Sequence, residues 1–338
     1  MQTNQVLFSL PFNAANGRVT GREQRVASQT SLTPGSPSDR GSIVYKPSAE
    51  SVESRLTWQS RNGEMLGTAG EPADYLELRI SPDGRRVATS RESGDIWIVD
   101  LERGGVVRLT SGSGNTRNPV WSPDGSEIIY AAAEDGKYRM VRKSVGGAGA
   151  ATSVLEQASD CRPQSWSPDG RWLLYLCGVR FHWDIFLLPL FGDRKPVPLL
   201  VDAFDKFSAE FSPDGHWITY SSSETGRREV YVIAAPPGTA AKWTVSTQGG
   251  TQPRWRTDGK ELYFVSLDGQ MMAAPVIATG TSFRTGEPTR PFPFKFTTGP
   301  VRNFDPSPDG KRFLTLVRPD TAPTGVRVVL NWEAMLTK

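Results

Sequence analysis

One short phrase recurs along the chain and limits what it can become. An aromatic or aliphatic residue is followed by Ser-Pro-Asp-Gly and then by strand-forming residues. The fullest copy is Trp166-Ser167-Pro168-Asp169-Gly170, before Arg171-Trp172-Leu173-Leu174-Tyr175-Leu176. Copies also begin at Ser81, Ser122, Ser212 and Ser307, with a degraded copy at Arg256-Thr257-Asp258-Gly259 and a weaker one at Ser38-Asp39-Arg40-Gly41. Successive starts lie 41 to 51 residues apart. A period in the forties with several strands per unit is the pattern of propeller blades.

The phrase has a turn chemistry. Proline presets φ at the second position, aspartate bonds its own downstream backbone and glycine accepts positive φ. Apolar runs bracket each turn, so each copy reads as a β-hairpin. Asp83, Asp124, Asp169, Asp214, Asp258 and Asp309 hold the same turn position in repeat after repeat. That recurrence is what turn geometry demands and what a single active site does not, so these six are read as structural.

The unit from Ser81 shows four strands: one ahead of the turn, then Arg86–Thr89, Asp95–Leu101 and Val107–Thr110. Largely apolar strands are buried on both faces, as in stacked blades. Seven turn phrases predict an all-β propeller of seven four-stranded antiparallel blades, with six and one unit outside as the runner-up. Repeats fall near 38–80, 81–121, 122–166, 167–211, 212–255, 256–306 and 307–332, in a single domain across 1–338. Residues 5–27 read as two strands that complete a closing blade shared by the N- and C-terminal segments. Closure removes exposed strand edges. The acidic residues opening third strands (Asp95, Asp184 and Glu229) read as local strand-start ligands for backbone and side-chain donors.

The 338 residues suffice for a large core, and 26 prolines with 33 glycines suit many turns. The net charge of +3 is small and dispersed, without a Lys/Arg block, so nucleic acid is not expected as a partner. No run of 18 apolar residues is present, so no membrane-spanning helix is expected. Met1-Gln2-Thr3-Asn4-Gln5 does not resemble a secretory signal. Cys161 and Cys177 flank one hairpin; a disulfide is geometrically feasible, but two small buried thiols are the preferred reading.

Signatures of catalysis are scarce. There is no G-x-S-x-G elbow, no phosphate loop and no H-E-x-x-H, and only His182 and His216 are present. No cofactor, metal or catalytic residue is expected. The informative variation precedes the turn phrases, where the innermost strand of each blade lines the channel and its entry loop forms one rim. Polar candidates for channel and rim binding are Arg79, Asn115, Arg117, Asn118, Asp160, Arg162, Asp205, Lys206, Glu210, Thr251, Gln252, Arg254, Arg302, Asn303 and Asp305.

The turn phrase, followed by strands such as Asp95-Ile96-Trp97, resembles the WD40-like repeats of TolB-type propellers over nearly the whole chain. Four further segments resemble the C-terminal propeller region of bacterial serine/threonine protein kinases. They are Arg55-Leu56-Thr57-Trp58, Gly192-Asp193-Arg194-Lys195-Pro196, Pro253-Arg254-Trp255-Arg256 and Val329-Leu330-Asn331-Trp332. No glycine-rich loop, H-R-D or D-F-G accompanies them, so kinase activity does not carry over. The resemblance implies a sensor or scaffold half.

The expected function is a non-catalytic interaction or sensor propeller acting through rim and channel. The alternative is a propeller lyase or hydrolase with polar channel residues as acid and base. A protein or peptide partner is expected ahead of a small channel ligand, and the chain is expected to be a monomer. A complete chain implies the cytoplasm, and a piece of a membrane receptor kinase the far side of the membrane.

Overall fold

The computed structural model describes residues 53–318 except 112–114, 135–136, 147–148, 156–159, 180–181, 236–240, 280 and 291–301. It also describes short strands between residues 6 and 45 and at Arg327–Val329. Two compact units emerge, 54–317 and a smaller one made of 1–53 and 318–338.

The larger unit is a ring of six four-stranded antiparallel blades. Blade 1 runs through Arg79–Ile80, Arg86–Ser90, Ile96–Asp100 and Val106–Arg108, close to the strands expected from Ser81. Blades 2 to 5 repeat this meander over 116–153, 160–200, 206–244 and 251–285. Blade 6 is composite. Its inner pair, Phe304–Pro306 and Arg312–Val317, comes from the end of the unit, and its outer pair, Ser54–Ser60 and Met65–Ala73, from the beginning.

The expectation of seven blades is therefore corrected to six. The segment 54–73 does not build a blade with the weak phrase at Ser38, which lies outside the described residues. Instead Ser54–Ser60 takes register on Arg312–Val317, from Arg312 opposite Ser60 to Val317 opposite Arg55. Leu56 and Trp58 are buried there beside Leu314. Once these two strands fill the third and fourth places of blade 6, the ring is closed.

Residues 5–27 do not complete that blade. Val6–Ser9 pairs with Gln24–Ser28, and Phe12–Asn13 with Arg18–Val19. Arg327–Val329, read from sequence as a further strand of the last repeat, pairs with Ile43–Tyr45 in a two-stranded sheet of the smaller unit.

Strand alternation explains the stacking. Successive side chains of a strand point to opposite faces. In Trp172–Val179, Leu173 and Tyr175 pack toward blade 2 with Ile129 and Met140, while Leu174 and Leu176 pack toward blade 4 with Ile218 and Tyr220. The central strands read as unbroken apolar runs because both faces are interfaces. Among the described residues each junction between neighbouring blades has its own buried cluster. The junction of blades 5 and 6 adds a polar clasp, in which Arg61 donates to both Glu261 oxygens at 2.7 and 2.8 Å and to the Tyr263 hydroxyl at 2.8 Å. These bonds hold the Glu261 carboxyl well below the usual range, to about 2.

Cys161 and Cys177 stand directly opposite on the first two strands of blade 3 and form a disulfide. The preferred sequence reading of two separate thiols is thus overturned. Direct cross-strand register brings their Cα atoms to 4.2 Å, close enough for a covalent bridge.

Candidate functional site

The turn phrases gather at one mouth of the channel. In blades 1, 2, 3, 4 and 6 the phrase serine donates to the phrase aspartate at 2.5–2.6 Å. The same serine oxygen accepts the N–H five residues on, as from Trp172 at 2.8 Å. Blade 5 replaces the serine with Arg256, whose Nε lies 3.3 Å from Asp258. The glycines need positive φ, +75° at Gly170, which a side chain would disfavour. All six aspartates sit in these turns, where their partners are local.

Inside the mouth lies a cavity of about 250 Å³ lined by all six blades. Its entrance is ringed by Pro82, Pro123, Pro168, Pro213, Thr257 and Pro308, the second position of each phrase. Its wall takes Ile80, Trp121, Trp166, Phe211, Trp255 and Pro306, the residue before each phrase. One residue deeper, the equivalent positions are Arg79, Val120, Ser165, Glu210, Arg254 and Asp305. Thus wall and entrance are largely uniform, while the floor differs blade by blade.

A bulge brings these floor residues into place. Pairing of the first two strands slips between Arg117 and Val120, Pro163 and Ser165, Phe207 and Glu210, and Thr251 and Arg254. Asn118, Ser208 and Gln252 adopt φ of 54–55° at these slips. An extra residue at a bulge bends the strand and re-aims its neighbours.

The floor charges form one connected network. Arg79 lies 3.2 Å from Glu210, and Arg254 lies 3.3 Å from the other oxygen of Glu210 and 3.8 Å from Asp305. Asp305 also accepts the Ile80 N–H at 2.9 Å. Arg79 and Arg302 both donate to the Gln164 carbonyl, at 2.5 and 2.9 Å. Burial pushes the Glu210 and Asp305 carboxyls up, and the guanidiniums of Arg79 and Arg254 only partly offset it. Burial also lowers the pKa of the Arg254 guanidinium, although Glu210 and Asp305 oppose that shift.

Of the candidates named from sequence, the structure brings together Arg79, Glu210, Arg254, Arg302 and Asp305. Thr251 and Gln252 are buried next to them in sequence, and Gln252 accepts the Asn303 N–H at 3.2 Å. The others sit apart. Arg117 is exposed and donates to Asn115 at 2.9 Å. Arg162 lies over the Tyr138 and Trp183 rings, 3.4 Å from Asp160. Lys206 is buried and bonds Asp202 at 2.5 Å, while Asp205 approaches His182 at 4.0 Å. Asn118 donates its backbone N–H to Glu77 at 2.6 Å.

Sequence reasoning missed Val120, Ser165 and Gln164, because a search for polar variation passes over an apolar or neutral member of a ring. For Val120 and Ser165 the signal was positional: they precede the phrase by two residues, as Arg79, Glu210, Arg254 and Asp305 do, whereas Gln164 takes part through its backbone carbonyl, which no side-chain pattern marks. No group of three or more histidine, cysteine or carboxylate side chains suited to a metal occurs among the described residues. Asp95, by contrast, is used locally, accepting from Thr110 and Arg108. Glu229 likewise accepts from Gly249 at 2.9 Å.

Solved structures with this architecture include a TolB-like protein from Agrobacterium tumefaciens. It is 20% identical, with a TM-score of 0.63 over 80% of this chain and 100% of that one. The fold is that of a TolB-like β-propeller. TolB from Acinetobacter baumannii matches at 14% identity and a TM-score of 0.53, over 80% of this chain and 65% of its own. An oligogalacturonate lyase in complex with manganese matches at 13% identity and 0.54, over 95% and 99%. At such identities the likeness establishes the TolB-like fold alone. No family model matches the chain. No helix among the described residues is long and apolar enough to cross a membrane.

Proposed function

We propose that this TolB-like propeller is a non-catalytic interaction or sensor module whose ligand or partner enters the mouth formed by the turn phrases. The observation that carries this reading is the contrast within one cavity. Six equivalent blades supply a near-uniform apolar entrance, yet Arg79, Val120, Ser165, Glu210 and Asp305 in its lining, with Arg254 fully buried at the equivalent position of blade 5, are nearly all different. A repeat that serves only packing has no physical reason to diversify six equivalent channel positions, whereas a concave site needs a few specific polar groups in an apolar frame.

The segments resembling bacterial kinase propellers support placing the chain as the sensing half of a receptor-like kinase, with a protein or peptide partner. The disulfide at the junction of blades 2 and 3 supports an oxidising compartment for that half. The runner-up is a propeller lyase or hydrolase, favoured by the raised Glu210 and Asp305 carboxyls, which suit a general acid. Both oxygens of Glu210 face guanidiniums, an arrangement that fixes the group in place.

The test plugs the cavity with Ser165→Arg and compares it with the rim variant Arg117→Ala/Arg162→Ala. Native mass spectrometry after incubation with a metabolite mixture, and affinity capture from lysate, read binding; circular dichroism reads folding. The plugged variant should lose the ligand or partner held by the wild type, and the rim variant should keep it. Loss in the rim variant with retention in the plugged one would overturn the choice of face.

A further inference from the structure

Equivalent blade junctions cover one aromatic residue in different ways. At four of them an aromatic residue stands just before the phrase of the second blade: Trp121, Trp166, Phe211 and Trp255. Between blades 1 and 2 the Arg86 guanidinium lies 5.0 Å from the Trp121 ring centre and donates to the Gly125 carbonyl at 3.0 Å. Between blades 2 and 3 the Arg142 guanidinium lies 5.4 Å from the Trp166 ring centre and bonds Glu127. Between blades 4 and 5 the Phe283 ring packs on Trp217 and Trp255, with ring centres 5.1 and 6.1 Å apart. Between blades 3 and 4 a cleft of about 240 Å³ opens beside Phe211, and among the described residues no arginine forms its wall.

The sequence explains the gap. Arg86 stands two residues after its phrase glycine, and blade 3 has Trp172 there. Arg142 pairs with Ile129, and the counterpart pair in blade 3 is Leu187 with Leu174. Apolar side chains thus hold both guanidinium positions, and Trp172 and Leu187 are walls of the cleft. The acceptors remain. Asp169, Asp214 and Gly215 line it, with Gly215 at the place of Gly125. Asp169 uses Oδ1 for the Ser167 hydroxyl and the Arg171 N–H, and its Oδ2 has no hydrogen bond among the described residues. Asp214 Oδ2 lies 3.4 Å from Nδ1 of His216, the other titratable group in the wall. Burial opposes the ionised form of both aspartates, but bonds from the phrase serine and the N–H two residues on hold both carboxyls below the usual range. The nearby Arg171 does not neutralise the cleft; its guanidinium lies over the Phe191 ring, 4.6 Å from its centre.

We propose that the cleft between the turns of blades 3 and 4 receives an arginine side chain of a peptide or protein partner, whose guanidinium lies over Phe211 and bonds the Asp169 carboxylate and the Gly215 carbonyl. The partner supplies from outside what Arg86 and Arg142 supply within the chain at the two preceding junctions. Arginine fits better than lysine, because a planar guanidinium stacks on a ring while its N–H groups bond in the plane. The aliphatic stem lies against Trp172 and Leu187. The cleft shares Pro168 and Phe211 with the cavity of the mouth, so the arginine flanks the segment that enters there. That last step rests on the reading of the mouth as the binding face; the cleft itself does not.

The experiment uses the whole chain and needs no known partner. The probe is N-acetyl-arginine methylamide, with the citrulline analogue as its uncharged isostere and the lysine analogue as the alternative cation. Nuclear magnetic resonance follows the tryptophan indole signals, and calorimetry reads affinity. The arginine probe should shift the Trp172 indole saturably, the citrulline analogue should bind at least tenfold more weakly, and the lysine analogue should fall between. Trp172→Arg places a guanidinium where blade 1 has Arg86, and should abolish binding. Asp169→Asn should weaken it at least fivefold, since the amide oxygen can still accept the turn bonds while the charge is gone. No saturable response, equal binding of the citrulline analogue, unchanged binding in Trp172→Arg, or shifts confined to Trp121, Trp166 and Trp255 in the mouth would each overturn the proposal. The wild-type comparison of the three probes stands even if a variant fails to fold. A silent Trp172 indole, together with partner capture abolished by Ser165→Arg, would remove the cleft and leave the mouth in place.

Discussion

Two rings of equivalent residues lie a few positions apart on the same hairpins and follow opposite rules. The turn ring repeats its chemistry: serine, proline, aspartate and glycine in five blades, with the same short bonds in each. The floor ring repeats its position and abandons its chemistry, from arginine to valine to serine to glutamate to arginine to aspartate. The turn ring is solved locally, since each aspartate finds its partners within two residues. The floor ring is solved across the molecule, since Arg79 reaches Glu210 three blades away and Arg254 reaches Asp305 in the next. Repetition therefore marks what a blade needs in order to exist, and divergence marks what the assembled ring has been fitted to do.

The sharpest way to break this contrast is to remove one member of the floor. Arg254→Ala takes away the guanidinium facing both Glu210 and Asp305 and leaves two buried carboxylates with Arg79 as their remaining cation. Removing one partner of a buried charge pair costs about 3–5 kcal/mol, because the stranded charge keeps its desolvation penalty. Urea unfolding at neutral pH should show a loss of that size. A loss no larger than that of a turn variant would mean that water already reaches the floor and that the two rings do not differ in kind.

Turn variants give a smaller and more uniform effect. Asp169→Ala removes an acceptor for the Ser167 hydroxyl at 2.5 Å and for the Arg171 N–H at 3.0 Å. Exposed local bonds of this type are worth about 1 kcal/mol. Asp83→Ala, Asp214→Ala and Asp309→Ala should cost similar amounts, and Asp258→Ala less, because Arg256 stands where its serine partner would be. Unequal costs among these four of the five serine-bearing turns would show that neighbouring blades, and not the turn itself, set the energetics.

The same division decides what could be read from sequence. The hairpins, their turn aspartates and the strands of blade 1 were legible because each is fixed by residues a few positions apart. Ring size was not. Leu56 and Trp58 announce an apolar strand, but only pairing with Arg312–Val317, more than 250 residues on in the chain, says that it is the third strand of the last blade. At the floor, Arg79, Arg254 and Arg302 stood out by being polar. Arg117 and Arg162 stood out equally and lie elsewhere, because the bulges shift the register between them and the phrase. A rule of polarity finds such residues; only a rule of register sorts them.

The mildest perturbation, a change in pH, should pull the two rings in opposite directions. Hydrogen bonds from Ser122 and from the Ser126 N–H and hydroxyl hold the Asp124 carboxyl down to about 2. The bond from Ser307 and the Lys311 N–H lower Asp309 in the same direction. The unfolded chain, with aspartates near about 3.9, then binds more protons than the folded one, so this contribution is lost as pH falls from about 4 towards 2. Glu210 and Asp305 are raised, chiefly by burial. There the folded chain binds more protons than the unfolded one above about pH 4, so their contribution is present at low pH and is lost as pH rises through the raised values. Urea midpoints across this range should therefore separate two variants. Asp124→Asn should flatten the acid limb and leave the rest unchanged. Glu210→Gln should flatten the decline on the other side, since an amide has no proton to lose. If Glu210→Gln instead flattens the acid limb, then Arg79 and Arg254 outweigh burial, the folded carboxylate is more acidic than the unfolded one, and the floor carboxylate follows the same rule as the turn aspartates.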